Sequence, residues 1–149
     1  MKLEGTRFGT IEFAEEDLVT LPDGMIGFSE FNQFVIVNTK DESPFRWLQS
    51  LEEPKLAFLL AFPERIIGDY SPEIPIKDAS ELNLLDTAPY LVFVTATIPK
   101  GRPMEATANL SAPVVINADS RIGKQIVLED EAYTVRYPIF EQRAMAAAA

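Results

Sequence analysis

Residues 44–63 read PFRWLQSLEEPKLAFLLAFP and contain two consecutive strand patterns. The first half alternates: one face carries Phe45, Trp47, Gln49 and Leu51, and the other carries Arg46, Leu48 and Ser50. The second half, residues 56–62, is a continuous apolar run that fits a strand covered on both faces, although a buried helix can have the same pattern. Between them, Pro54 suits the second position of a tight turn. We therefore predict a central pair of adjacent antiparallel strands, with Trp47 in the core.

The rest of the chain carries further strand patterns, nearly all short. We predict strands within residues 3–13 (broken near Gly5 to Gly9), 18–21, 33–39, 89–98, 104–108, 113–117, 125–128 and 133–139. Helical spacing of apolar residues predicts one helix over residues 76–85. The predicted fold is mostly β: a small closed or partly open β pseudobarrel of short, largely antiparallel strands with one or two short helices. Residues 1–143 form one domain in this interpretation, and the alanine-rich residues 144–149 form a tail outside it.

The composition excludes several classes of chemistry. The 149 residues include neither cysteine nor histidine. The chain therefore lacks disulfides, thiol catalysis, Cys-ligated zinc and the most common general base and metal ligand. No apolar run approaches the roughly 18 residues of a membrane span, and the N-terminus lacks a signal peptide's apolar segment. We expect a cytoplasmic protein with no membrane contact, no metal and no cofactor.

The formal net charge is −10 and is unevenly distributed. Residues 1–62 contain eleven acidic and five basic residues (−6), residues 63–98 contain six and two (−4), and residues 99–149 contain six of each. A polyanion repels nucleic acid, so we expect no direct nucleic-acid binding. The same charge favours a basic protein partner, whose approach the field would accelerate, or serves only solubility.

The sequence contains no clear arrangement of catalytic groups. The paired acids Glu52 and Glu53, and the acidic run 129–131, lie in predicted turns where solvated surface is the simpler interpretation. The serines have no histidine to activate them. The remaining interpretation is a binding module that works by contact and is not an enzyme. Two alternatives stay open: an uncatalogued carboxylate-dependent hydrolase and a nucleic-acid-binding barrel with a hidden basic groove.

Two segments are candidate partner surfaces. The first combines a tyrosine with acids and isoleucines: Ile67, Asp69, Tyr70, Glu73 and Ile74. The second is the apolar loop of residues 25–31, represented by Met25 and Phe28. Each segment could instead pack against the barrel, the first over its end and the second under the sheet.

A series of fragments, in order and spacing, resembles the flagellar assembly factor family FliW from about Gly5 to Pro138. They are Gly24 with Gly27-Phe28, Phe45 with Leu48-Gln49-Ser50, Leu56-Ala57-Phe58, Pro63, Asp69-Tyr70, residues 109–117 (NLSAPVVIN), residues 123–128 (GKQIVL) and Tyr133-Thr134. The resemblance implies a β pseudobarrel in the bacterial cytoplasm with two protein partners, flagellin and the small basic RNA-binding regulator CsrA. Family members bind CsrA, stop it repressing translation of flagellin mRNA, and are themselves held by unsecreted flagellin.

For this chain, the resemblance implies a non-enzymatic regulator for whose binding CsrA and flagellin compete. We expect a monomer when the protein is free. The fragment residues themselves suit structural roles. Gly24 and Gly27 fit turns, and Gln49 and Asn109 are expected to satisfy backbone groups at strand edges.

Overall fold

The computed structural model describes residues 1–38, 43–84 and 88–140, which are almost entirely strands and connecting turns. In chain order, the strands of these residues are β1 (Lys2–Thr6), β2 (Gly9–Glu12), β3 (Leu18–Thr20), β4 (Gln33–Val37), β5 (Phe45–Ser50), β6 (Ala57–Ala61), β7 (Tyr90–Thr97), β8 (Thr107–Ala108), β9 (Val114–Asn117), β10 (Gly123–Gln125) and β11 (Tyr137–Pro138). One α-helix, α1 (Ile76–Glu81), and short 3₁₀ turns at Glu15–Asp17, Pro63–Arg65 and Pro103–Glu105 complete the described secondary structure.

The main sheet follows the order β10-β9-β7-β6-β5-β4-β3, with every neighbouring pair antiparallel. Strand β8 pairs with β7 and β11, while β1 and β2 form a separate hairpin. The two ends of the sheet meet at a single parallel bridge between Thr20 and Ile122. There, the Thr20 amide donates to the Arg121 carbonyl (2.9 Å) and Arg121 Nε donates to the Leu18 carbonyl (3.2 Å). The predicted mostly β pseudobarrel is confirmed, and it is partly open.

The predicted central pair is confirmed as β5 and β6. Trp47 lies opposite Leu59, and the two strands are antiparallel. The turn between them closes through a 2.9 Å hydrogen bond from the Leu56 amide to the Glu53 carbonyl, with Pro54 in the second position. The proline's fixed backbone angle thus determines where the chain reverses.

The core lies on the Leu48 face of β5. Leu48 is fully buried in a cluster with Val19, Leu21, Met25, Phe34, Leu60, Phe93, Val114 and Ile116. The predicted core position of Trp47 is wrong. Its half-buried ring lies on the other face of β5, edge-on to Phe8 (5.3 Å between ring centres) and beneath the Arg7 guanidinium (4.4 Å). The hairpin of β1 and β2 therefore covers Trp47. We expect Trp47→Ala to reduce the free energy of unfolding by less than a cavity in the core would.

Some predicted boundaries differ from the structure. The pattern at 133–139 yields only the two-residue β11, and the Tyr133 ring packs edge-to-face on Tyr70. Strand β10 ends at Gln125 rather than beginning there, although the Ile126 and Leu128 amides still donate to carbonyls of the neighbouring segment. Helix α1 ends at Glu81, and residues 85–87 and the tail 144–149 lie outside the described residues. Within the described ranges, no helix is long and apolar enough to cross a membrane.

Candidate protein-binding surface

Residues 66–75 link the 3₁₀ turn at Pro63–Arg65 to α1, and the Tyr70 side chain fixes this segment. Tyr70 is half-buried, and its hydroxyl donates to the Leu110 carbonyl at 2.8 Å. Its ring meets Tyr133 edge-to-face at 4.8 Å, and Ile67 packs on the same apolar cluster. Burial, and then the neighbouring Tyr133, raise the pKa of Tyr70 well above its usual value. The tyrosine is therefore an anchor for the segment.

The five residues of the first predicted surface divide into two groups. Ile67, Tyr70 and Ile74 pack inward, Ile74 against a second cluster that includes Val115 and Leu128. Asp69 and Glu73 are exposed. The segment thus has more structural duties than its sequence indicated, while its two acids face solvent.

The C-terminal end of this segment, together with Ile76 of α1, forms one wall of an open groove. The groove has a volume of about 580 Å³. It is lined by Glu73, Ile74, Pro75 and Ile76 on one side and by Leu128, Glu129 and Asp130 on the other. Ile76 is 79% exposed, more than any other large apolar side chain of the described residues. Sequence reasoning missed this pairing, because residues 128–130 were interpreted as a strand end and a solvated turn.

Helix α1, which contributes Ile76 to the groove, is tied to the sheet from its third residue to its C-terminal end. Lys124 Nζ donates to the carboxylates of Asp78 (2.6 Å) and Glu81 (2.8 Å). These hydrogen bonds, the one to Asp78 foremost, raise the pKa of Lys124 well above its usual value. At the C-terminal end, Asn117 Nδ2 donates to the Leu82 carbonyl at 2.8 Å. The groove wall is therefore a fixed element of the fold.

The second predicted surface, the loop of residues 25–31, is divided between core and solvent. Met25 is only 2% exposed, whereas Phe28 is 37% exposed and packs edge-on to Phe58 at 5.2 Å. The Phe28 amide donates to the Met25 carbonyl (2.8 Å), closing a tight turn with Gly27 at φ +88°. Ile26 lies at the tip of this turn, 56% exposed, inside the predicted loop although not one of its two named residues. The loop therefore both folds under the sheet and presents apolar surface.

Polar residues of the fragments have the backbone roles predicted for them. Gln49 is fully buried and its Nε2 donates to the carbonyls of Ser50, Pro54 and Leu56, at 2.9–3.1 Å. Asn109 Oδ1 accepts from the Ser111 amide. Both predictions are confirmed.

Glu52, predicted to be a solvated turn acid, also has a structural contact. Its carboxylate accepts from the backbone amides of Gln33 (2.9 Å) and Asn32 (2.6 Å). These bonds lower its pKa, the one from Gln33 foremost. The carboxylate therefore joins the turn after β5 to the start of β4, which explains an acid at this position without catalysis.

Comparison with known proteins identifies the family that has this architecture. The model of the family described as FliW protein matches residues 2–139. The chain belongs to the FliW family. A crystal structure of the flagellar assembly factor FliW superposes with a TM-score of 0.85 at 31% sequence identity, covering 96% of this chain and 99% of that one.

Curated relatives of this FliW-family chain carry the same description. The flagellar assembly factor FliW of Magnetococcus marinus is 40% identical over 139 residues, which cover 93% of this chain and 85% of the relative. The flagellar assembly factor FliW of Geobacter sulfurreducens is 37% identical over 144 residues, covering 97% and 89%. The resemblance inferred from the ordered fragments is thus confirmed along nearly the whole chain.

Proposed function

We propose that this chain is a non-enzymatic, cytoplasmic regulator of flagellum assembly that binds CsrA and flagellin. Its binding to CsrA relieves repression of flagellin mRNA translation, and flagellin competes for it. The observation that carries the proposal is the match to the FliW family over residues 2–139. The absence of histidine and cysteine supports a role in contact rather than catalysis.

The charge of the chain supports the choice of a basic partner. At a net charge of −10, the protein accelerates the approach of an electropositive RNA-binding protein. Once docked, it adds negative charge near the partner's RNA site, which raises the cost of binding a second polyanion there. Relief of repression then needs no direct cover of the RNA-binding site.

The contact surface in this proposal is the exposed part of the predicted segments. Asp69 and Glu73 supply charge at the first, with Ile67, Tyr70 and Ile74 fixing its backbone. Phe28, supported by the buried Met25, supplies apolar area at the second. These surfaces lie on separate segments, so either can be altered alone.

The regulatory switch requires that the two partners exclude each other. Either their sites overlap, or a coupling free energy separates them and acts equally in both directions. A coupling of about 3 kcal/mol changes affinity roughly 150-fold, enough for accumulating flagellin to release CsrA. We propose overlap, because a patch of acids with apolar anchors can receive either partner.

A titration tests the proposal. Flagellin is added to a preformed complex with CsrA, while free CsrA and its binding to labelled flagellin mRNA are followed. We expect CsrA to be released and RNA binding to return as flagellin rises. A stable three-way complex at saturating flagellin would contradict the switch, and a protein that binds neither partner would contradict the proposed function.

A further inference from the structure

The groove between residues 73–76 and 128–130 has the composition of a docking site for a charged, amphipathic segment. Its apolar lining is formed by Ile74, Pro75, Ile76 and Leu128. Among its seven lining residues, three are acidic and none is basic. Its volume of about 580 Å³ lies within the range of roughly 300–1,000 Å³ typical of binding pockets.

The acids at the rim are not engaged by the fold. In the described part of the chain, neither Glu73 nor Glu129 has an ion-pair partner. Asp130 Oδ1 accepts only from the nearby Ala132 amide. By contrast, Asp78 and Glu81 of helix α1 both form ion pairs with Lys124. The rim carboxylates are therefore available to a ligand, whereas those of Asp78 and Glu81 stabilise the position of the helix.

We infer that this groove binds a basic amphipathic segment of a protein partner, with aliphatic side chains against Ile76 and Leu128 and Lys or Arg side chains over Glu73, Glu129 and Asp130. The combination of an apolar lining, in which Ile76 is exposed, and acids without ion-pair partners defines this chemistry. An acidic or purely apolar segment leaves the rim carboxylates unpaired or repelled. The inference rests on the proposed function, within which CsrA is the basic partner.

The groove is prepared for this partner before binding. Helix α1 is fixed by Lys124 and Asn117, so Ile76 is held in place without the cost of ordering a loop. Leu128 is 7% exposed and belongs to the same cluster as Ile74, which joins the two walls through the core. Contacts on the two walls thus act together although they are about 55 positions apart in sequence.

The test compares two double variants of equal net charge in the full chain. Glu73→Lys with Glu129→Lys changes the net charge from −10 to −6, and so does the control, Glu15→Lys with Glu16→Lys, two exposed acids before β3. CsrA affinity is measured by titration calorimetry at two salt concentrations. We expect at least a tenfold loss for the groove variant and less than a threefold loss for the control, because specific rim contacts outweigh the general field.

The apolar floor has its own pair of variants. Ile76→Ser is expected to weaken CsrA binding about threefold to tenfold, whereas Ile98→Ser, 44% exposed at the end of β7, should leave it unchanged. Because neither side chain belongs to the buried core, melting temperatures should stay within a few degrees of the unaltered protein. Hydrogen exchange in the complex should slow at residues 76–78 and 128–130.

The outcomes separate this inference from the proposed function. If the unaltered chain binds CsrA and both groove variants bind equally well, the groove inference is wrong and the proposed function stands. If flagellin rather than CsrA loses affinity in the groove variants, the basic-segment inference is also wrong. If the unaltered chain binds neither protein, the proposed function fails and the inference fails with it.

Discussion

Replacing Asn117 tests how the chain closes the C-terminal end of α1. Asn117 is 5% exposed, and its Nδ2 donates to the Leu82 carbonyl at 2.8 Å. Its Oδ1 accepts from the amides of Asp119 (2.9 Å) and Ser120 (3.2 Å). Carbonyls at a helix end have no partner within the helix, so this side chain satisfies one of them from a neighbouring strand.

The expected cost of Asn117→Ala follows from these three bonds. A buried carbonyl left without its donor costs about 1–3 kcal/mol, and each turn bond at an exposed residue contributes about 0.5 kcal/mol because water replaces it. The sum is about 2–4 kcal/mol, which lowers the melting temperature of a domain of this size by roughly 5–15 °C. The measurement is thermal and urea unfolding, followed by circular dichroism and Trp47 fluorescence.

Asn117→Asp gives the same test a pH dependence. The new carboxylate keeps the two acceptor bonds but directs an oxygen at the Leu82 carbonyl, so at pH 7 we expect a loss at least as large as for alanine. Burial beside the Leu82 carbonyl raises the pKa of this carboxyl, and the two amide bonds lower it. We expect the first effect to be larger, so that the folded pKa lies above the unfolded value of about 3.9 and the loss of stability is full above the folded pKa and fades as pH falls. The stability gap to the unaltered protein should narrow from pH 7 to pH 4.5.

The matched control is Asn109→Asp, because in residues 1–38, 43–84 and 88–140 the Asn109 side chain makes one hydrogen bond, accepted by its Oδ1 from the Ser111 amide. It should cost little at either pH. The reasoning is refuted if Asn117→Asp is as stable as the unaltered protein at pH 7. A gap that does not change with pH would also refute it.

Two further perturbations follow from local geometry. Gly24→Ala would place its Cβ 2.5 Å from the Phe28 carbonyl oxygen, whereas at Gly9 the same change meets nothing within 4 Å, and both have positive φ. Each substitution should destabilise the protein by about 1–2 kcal/mol because alanine disfavours a positive φ, and Gly24→Ala by a further 1–3 kcal/mol because of the close contact. Equal melting temperatures for the two variants would contradict the contact at Gly24. Lys124→Met removes the cation beside Asp78 and should cost about 1–2 kcal/mol at pH 7. The folded pKa of Lys124 is raised, so the stability that its charge contributes is complete below the unfolded pKa of about 10.4 and is lost as pH rises further. The difference in urea midpoint between the variant and the unaltered protein should therefore shrink at pH 11. A constant difference would count against the ion pair.

Local patterns were sufficient to predict most of the sheet. The alternation at 45–51, the apolar run at 56–62 and the proline between them determine β5, β6 and their turn, all within 20 residues. Tertiary pairing was not visible in the same way. The bridge from Thr20 to Ile122 joins residues of opposite sheet edges, and no pattern in either segment indicates the other. The face of β5 that meets the core was likewise ambiguous, because Trp47 and Leu48 are both apolar and the covering hairpin decided between them.

The candidate surface was predictable only in part for the same reason. Asp69 and Glu73 could be recognised as acids in an irregular segment, and they are exposed. The structural role of Tyr70 depends on the Leu110 carbonyl, 40 positions away. The groove depends on residues 128–130 lying across from Ile76, and this follows from the pairing of β9 with β7 and β10, which no local pattern indicates.

The single bridge that joins the ends of the sheet has a consequence for synthesis. Strand β3 emerges early, but its partner Arg121 follows Leu18 by 103 positions. At about 5–20 residues per second, β3 waits roughly 5–20 s with one edge unpaired while the nascent chain grows. Exposed edges invite pairing with other chains, and charge beside them opposes it. The acidic turn Glu15–Asp17, immediately before β3, places three negative charges beside this unpaired edge. These charges oppose aggregation through the edge until Arg121 and Ile122 are available to pair with it.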